Sequence, residues 1–183
     1  YADDEGWRRD RYGRAPLDGA PNDVRLARKR RGLSLLHQHG LGAISWPRKY
    51  GGQGLTNRHS VIFNQEIASY SLPLGMFIIG HGMCAPTVLA YGTEAQKDRY
   101  LPPLLSGEEV WCQLFSEPGA GSDLAGVQCR AEPDGDGWIV NGQKVWTSGA
   151  HNASFGLLLA RSDPTAGSET ARRHAGMTTF IVA

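Results

Sequence analysis

The sequence predicts an α+β fold, an N-terminal all-helical domain followed by an antiparallel β domain, and three observations lead to it. Apolar residues recur at helical spacing up to about Ser106-Gly107 and in short strand-like runs beyond it. Turn chemistry changes at the same place, from helix caps such as Gly92 and Thr93 to the hairpin-type turns Asp134-Gly135-Asp136-Gly137 and Asn141-Gly142. Helical and strand segments are segregated rather than alternating, which argues against a doubly wound parallel sheet. The expected division is a flexible arm over residues 1–20, a helical domain over residues 21–106 and an incomplete β domain over residues 107–183.

Residues 1–20 are charged and rich in Arg, Asp and Gly, with little periodicity, so no element is expected there. Pro21-Asn22-Asp23 offers an N-cap for a first helix carrying Val24, Ala27, Leu33, Leu35 and Leu36. A second helix is expected over residues 57–70, with Val61, Ile62, Ile67 and Ala68 apolar and Pro73 ending or offsetting it. A third spans about residues 74–91 and closes on Gly92 as a C-cap, after which Thr93 caps a short helix over residues 94–100. Past Gly107, β-branched and aromatic runs at residues 111–115, 126–131, 138–140, 143–146, 155–161 and 177–182 read as strands. Asn141-Gly142 is placed as a two-residue hairpin turn between the third and fourth of these. No turn signal follows the last run and the first residue is Tyr1, so both ends read as limits of a longer chain.

Composition narrows the function. The 183 residues carry 19 Lys and Arg against 18 Asp and Glu, a net charge of +1 with no general pull toward nucleic acid or anionic membrane. Cys84, Cys112 and Cys129 are odd in number and lack CxxC spacing, which argues against a disulfide framework and for a reducing compartment, the cytoplasm. The apolar run from Leu72 is interrupted at Gly80, His81 and Gly82 and falls short of the roughly 18 residues of a membrane span. His37 and His39 lie two apart on a helix and face different sides, so no metal site is expected. The stretch Gly119 to Gly126 has the spacing GxGxxxxG with a strand after it, which does not fit a nicotinamide dinucleotide turn.

Two segments carry the chemistry: WCQLFSEPGAGS from Trp111 to Ser122 and GQKVWTSGA from Gly142 to Ala150. Pro118, Gly119 and Gly121 allow a tight bend whose N–H groups can face one anion or carbonyl oxygen, a nest. Ser116 and Ser122 flank it with hydroxyls. Trp146 offers a flat apolar face to an aromatic ring system, with Thr147 and Ser148 adding donors beside it.

On these residues the chain resembles the acyl-CoA dehydrogenase family. Gln113 to Asp123 is similar to its flavin signature and Trp146-Thr147-Ser148 to its second flavin motif. Trp46-Pro47, Tyr50-Gly51-Gly52, Gly92-Thr93-Glu94, Gln96-Lys97 and Tyr100-Leu101-Pro102 match in the same order, from about Gly32 onward. The resemblance implies FAD as cofactor and a chain holding the helical domain and part of the β domain, without the C-terminal helical bundle. It implies a reaction in which a carboxylate takes an α-proton of an acyl-CoA thioester and the β-hydride passes to flavin N5, giving a trans-2-enoyl-CoA. Ser116 and the backbone at Gln113 and Phe115 would meet the flavin pyrimidine edge, Gly121 and Ser122 the pyrophosphate and nearby substrate. Trp146 would flank the isoalloxazine, and Ser148, beside Thr147, would bond near N5. Acyl-CoA substrate, an electron-transfer flavoprotein or similar acceptor, and a homo- or hetero-oligomer complete what the resemblance implies. Cys129 stands where a threonine is common and Ser154 where an aspartate is common, which touches hydrogen bonding rather than family.

Several residues keep two readings. Met76, Phe77, Ile78, Ile79 and Met83 are either helix core or, as the resemblance supports, an acyl pocket, with Met76, Ile79 and Met83 as substrate contacts. The run Arg25, Arg28, Lys29, Arg30 and Arg31 is a solvated helix face before it is a phosphate grip, and Trp111 and Trp138 read as core. No catalytic residue is assigned: the family's base belongs to its C-terminal domain, and Glu117 sits within the turn motif instead. The rival readings are another flavin reaction on the same scaffold, such as an acyl-CoA oxidase, nitroalkane oxidase or flavin hydroxylase, and a non-catalytic subunit of a heteromeric dehydrogenase.

Overall fold

The first helix, α1, spans Asn22–Gln38 and takes Pro21 as its N-cap, without a side-chain cap. The cap falls within the expected Pro21-Asn22-Asp23, at Pro21, and neither Asn22 nor Asp23 supplies a side-chain cap. Proline's fixed φ suits helix entry, and Asp23 in the first turn complements the helix dipole instead. The computed structural model describes residues 21–68, 70, 74–163 and 174–183; the arm over residues 1–20 and Pro73 lie outside it. On the basic stretch Arg25, Arg30 and Arg31 are exposed, while Gly32 and Leu33 are buried.

Helix α2 spans Asn57–Ile67, three residues short of the expected end. Its N-terminus is held by a capping box: the Thr56 N–H donates to His59 Nδ1 at 3.3 Å. None of its residues is buried, and Val61 and Ile62 are 55% and 50% exposed.

The expected third helix is broken into pieces. Leu74–Met76 is a short 3-10 turn, Gly80–Cys84 a π segment, and only Ala85–Tyr91 is the regular helix α3. Gly75, Gly80 and Gly82 weaken α-helix across this stretch. Pro86 has no N–H to return to the turn before it, and the wider π spacing ahead of it absorbs that mismatch. Gly92 closes α3 in an extended conformation rather than a left-handed one. Glycine is required there by space, since a Cβ would approach the Val88 carbonyl to 2.6 Å.

Thr93 caps α4 as expected, accepting from Gln96 N at 3.2 Å while Gln96 Oε1 accepts from Thr93 N at 2.9 Å. The helix continues past the expected end at Tyr100, over Glu94–Ser106 and through Pro102 and Pro103. Burial of Leu101, Leu104 and Leu105 carries it across the prolines, packing overriding propensity. It stops at Gly107, whose φ of 80° is left-handed.

Contacts divide the chain into two compact units, the boundary falling between Glu109 and Val110. The second unit has five strands among the described residues: β1 Trp111–Leu114, β2 Arg130–Asp134, β3 Gly137–Asn141, β4 Phe155–Arg161 and β5 Met177–Val182. The α+β class stands, but the sheet is mixed rather than antiparallel. β2–β3 and β4–β5 pair antiparallel, as in Ala131 opposite Val140 and Leu157 opposite Ile181. β1 runs parallel to β4, with Trp111 opposite Phe155, and β2 meets β4 in parallel at Arg130 and Arg161. The return from β1 to β4 passes through the whole β2–β3 hairpin, long enough to reverse direction twice and arrive parallel.

Three local expectations shift with this. Leu124–Gly126 is a 3-10 turn, so β2 begins later than residue 126. The hairpin turn expected at Asp134 to Gly137 is present, whereas the one expected at Asn141-Gly142 is not and residues 143–146 are not a strand. Leu157, Leu158, Leu159 and Ala160 of β4 are buried on both faces. Leu158 and Ala160 pack with Cys129 and Ala131, and Leu159 packs with Ala120 and Val127. Among the described residues no helix is long and apolar enough to cross a membrane.

Candidate functional site

The end of β1 and the segment before Trp146 lie side by side. Val145 N–H donates to the Ser116 carbonyl at 2.9 Å, and Lys144 Nζ donates to the Phe115 carbonyl at 2.9 Å. The two motifs separated in sequence therefore converge in space, although by an irregular pairing and not by the hairpin expected at Asn141-Gly142. Gln113 sits one turn of the pleat earlier, opposite Leu157 in the parallel ladder.

Glu117 binds three segments together. Its carboxylate is 2.8 Å from Lys144 Nζ, with side-chain exposures of 6% and 8%. Oε2 accepts from Gln128 N at 2.6 Å and Oε1 from Cys129 N at 2.9 Å. Burial, the largest single influence, pushes the carboxyl up. The Lys144 ammonium and the two backbone N–H groups together outweigh it and hold Glu117 below the usual carboxylate range. A carboxylate so low and so fully bonded has little affinity for a proton and is a poor general base. Its partner Lys144 was missed in the sequence; the available signal was a lone opposite charge within the second motif.

From Glu117 the chain turns back at once. Glu117 N donates to the Ala120 carbonyl at 2.8 Å and Ala120 N to the Glu117 carbonyl at 3.1 Å, with Pro118 and Gly119 at the tip. Neither Gly119 nor Gly121 has a left-handed φ, so the bend does not draw on that freedom of glycine. A Cβ on either would meet nothing within 4 Å. The protein itself does not require glycine at these positions; the open space beside Gly121 and the exposed Ser122 is free for a ligand. The following turn is pinned by Arg161, which donates to the Val127 carbonyl at 2.9 Å and the Ala125 carbonyl at 2.6 Å.

Trp146 has φ 58°, the sole non-glycine residue with positive φ among those described, and is 91% exposed. Thr147 is half-buried and Ser148 exposed beside it. Trp111 is core, as expected, but Trp138 is half exposed on β3, edge-on to Phe180 at 5.1 Å between ring centroids.

Met76, Ile79 and Met83 belong to the helical unit and the other candidates to the β unit. A cavity of about 320 Å³ in that unit is lined by Phe77 and Ile78, with Leu33, Trp46, Phe63 and His81. Met76, Ile79 and Met83 are not among its lining residues. Burial holds the His81 imidazole below its ordinary value, against the opposing effect of the Leu104 carbonyl 3.0 Å away.

Residues 22–108 match the model of the acyl-CoA dehydrogenase N-terminal domain and residues 112–183 that of its middle domain. The chain is 44% identical over 143 residues to acyl-CoA dehydrogenase IpdE1 of Mycobacterium tuberculosis, covering 78% of this chain and 36% of that protein. Of solved structures, the Tcur3481-Tcur3483 steroid ACAD is 35% identical with a TM-score of 0.73, covering 88% of this chain and 43% of that one. The ChsE4-ChsE5 complex from Mycobacterium tuberculosis is 36% identical with a TM-score of 0.71, covering 84% and 38%. The chain thus spans less than half the length of these proteins. With two domain models matched in order across nearly all the described residues, the chain belongs to the acyl-CoA dehydrogenase family.

Proposed function

We propose that this chain forms the helical domain and the flavin-contacting β domain of an FAD-dependent acyl-CoA dehydrogenase, which converts an acyl-CoA thioester to a trans-2-enoyl-CoA. Trp146 carries the proposal. A bulky residue held at positive φ with its ring in solvent is costly and buries nothing, so its reason lies in what the ring receives. The residues of the two motifs fit an aromatic, phosphate-bearing cofactor: hydroxyls at Ser116, Ser122, Thr147 and Ser148, and the Cβ-free surface at Gly119 and Gly121.

In this reading Trp146 flanks the isoalloxazine and Ser148 bonds near N5, while Ser116 with the backbone of Gln113 and Phe115 borders the pyrimidine edge. Gly121 and Ser122 take the pyrophosphate and approach the substrate. Bound FAD would accept the β-hydrogen as hydride. The chain's own residues bind and orient; the α-proton falls to a carboxylate elsewhere in the full-length protein, because Glu117 is committed to its buried bonds. Met76, Ile79 and Met83 are substrate contacts in the same proposal. The steroid ACAD likeness makes a bulky steroid-derived acyl group the substrate class to try first. An electron-transfer flavoprotein would serve as acceptor, within a homo- or hetero-oligomer in the cytoplasm.

The test is made on the full-length protein. Acyl-CoA added anaerobically bleaches the bound flavin and yields enoyl-CoA. Ser148→Ala weakens the flavin interaction by on the order of 1–3 kcal/mol if its hydroxyl is a buried partner, and Trp146→Ala lowers flavin retention further. Normal flavin content and reduction in both variants, with only a lowered apo melting temperature, would overturn the site.

A further inference from the structure

The ion pair between Glu117 and Lys144 lies where every segment of the proposed flavin site comes together, and no catalytic role uses it. Lys144 is two residues before Trp146, and Glu117 is one residue after Ser116 and opens the turn that leads to Gly121 and Ser122. Both side chains are buried while the ring they lead to stands almost entirely in solvent.

Burying an ion pair is at best weakly stabilising compared with apolar residues of the same shape, because two charges must be stripped of water. A core that needed only stability would do as well with a leucine and a methionine. What the pair adds is geometry. The carboxylate accepts from Lys144 Nζ and from Gln128 N and Cys129 N, and the ammonium also donates to the Phe115 carbonyl. These four bonds tie the end of β1, the entry to β2 and the segment before Trp146 to one point. With the bond from Val145 N to the Ser116 carbonyl at 2.9 Å, they fix the chain on the N-terminal side of Trp146 and hold a strained residue where it would not otherwise stay.

We propose that Glu117 and Lys144 are a positioning pair that sets the orientation of the Trp146 ring relative to Ser116 and the Gly121-Ser122 turn, and so fixes how the flavin is held. This rests on the flavin reading above. Neither residue touches the cofactor in this account; each acts through the backbone of the residues that do.

The experiment uses the full-length protein with Lys144→Met, Glu117→Gln, and the double variant Glu117→Gln/Lys144→Met, probed with FAD. The readouts are the FAD dissociation constant, the visible circular dichroism of bound FAD, and the apo melting temperature. Each single variant is expected to weaken FAD binding on the order of tenfold and to change the visible dichroism. The two changes are expected to be non-additive, because both break the same contact. The double variant guards against loss of folding, since it leaves no unpaired buried charge. It is expected to keep an apo melting temperature closer to that of the parent than Lys144→Met does, and still to show the altered dichroism and weakened FAD. Unchanged FAD affinity and dichroism in the double variant would overturn the proposal, whatever its melting temperature. If Trp146→Ala loses FAD while the pair variants retain it, positioning alone fails; if neither does, the flavin reading fails with it.

Discussion

Trp146 concentrates the energetic argument at the scale of one residue. A non-glycine residue held in a sparsely populated region costs on the order of 1–3 kcal/mol, and burial returns roughly 25 cal/mol only for each Å² actually removed from water. With 91% of the residue exposed there is almost nothing to return. Trp146→Gly should therefore leave apo stability unchanged or raise it by up to about 1 kcal/mol. The same change should weaken FAD binding on the order of tenfold, or about 1.4 kcal/mol. Apo melting curves and FAD titrations of the full-length variant check this, and a clear loss of apo stability would show that the ring is packed after all. The sequence made the aromatic face of Trp146 legible, since an indole beside two hydroxyl residues is an unusual surface. It could not show the positive φ, because nothing in tryptophan favours it; the bonds of Lys144 and Val145 hold the chain just before it. Lys144 as the partner of Glu117 was not legible, because their contact spans 27 positions.

At the scale of elements, the start of α4 was readable because a local cap decides it, and its far end was not because packing carries the helix on. Thr93 with Gln96 capped α4 as expected, and β4 and β5 took their expected bounds. The far end of α4 depends on buried leucines beyond two prolines, and the π segment at Gly80–Cys84 on a balance of glycines and Pro86, neither of which a periodicity reveals. The C-terminus of α4 gives a direct test. Gly107 has φ 80°, and a Cβ there would come to 2.9 Å from Leu33 Cδ2. Gly107→Ala should destabilise the protein by about 1–3 kcal/mol through backbone strain with some repacking of Leu33, measured by urea denaturation; a neutral result would mean that the left-handed cap is not rigid. The start of α4 offers a second. Glu94 is held down to about 2, first by Lys49 at 2.8 Å and then by Lys97 and Tyr50. A depressed carboxyl contributes stability above its ordinary range and loses it as pH falls through about 2. The group is fully exposed, so salt should screen the effect. Carbon-detected NMR titration of Glu94 should give a midpoint near 2 at low salt, rising toward the usual value of about 4.3 in about 1 M salt. An ordinary midpoint at low salt would dissolve the link from Lys49 to α4.

For the whole molecule, segregation of helices from strands was legible because it needs only local period, and family membership because it needs only motifs in order. The mixed sheet was not, since which strand β1 meets depends on a partner more than forty positions away, Trp111 opposite Phe155. The same non-locality hid the route by which the two motifs converge: the expected hairpin at Asn141-Gly142 is replaced by contacts from Lys144 and Val145 to the end of β1. The proposed function requires that the exposed ring of Trp146 be a surface kept open for FAD. Hydroxyl-radical footprinting of the full-length protein, apo against FAD-loaded, measures this directly, with Tyr91 of the helical unit, 87% exposed, as internal reference. The prediction is that FAD slows oxidation of Trp146 several-fold and leaves Tyr91 unchanged; a Trp146 oxidised as fast with FAD bound as without it would contradict the account.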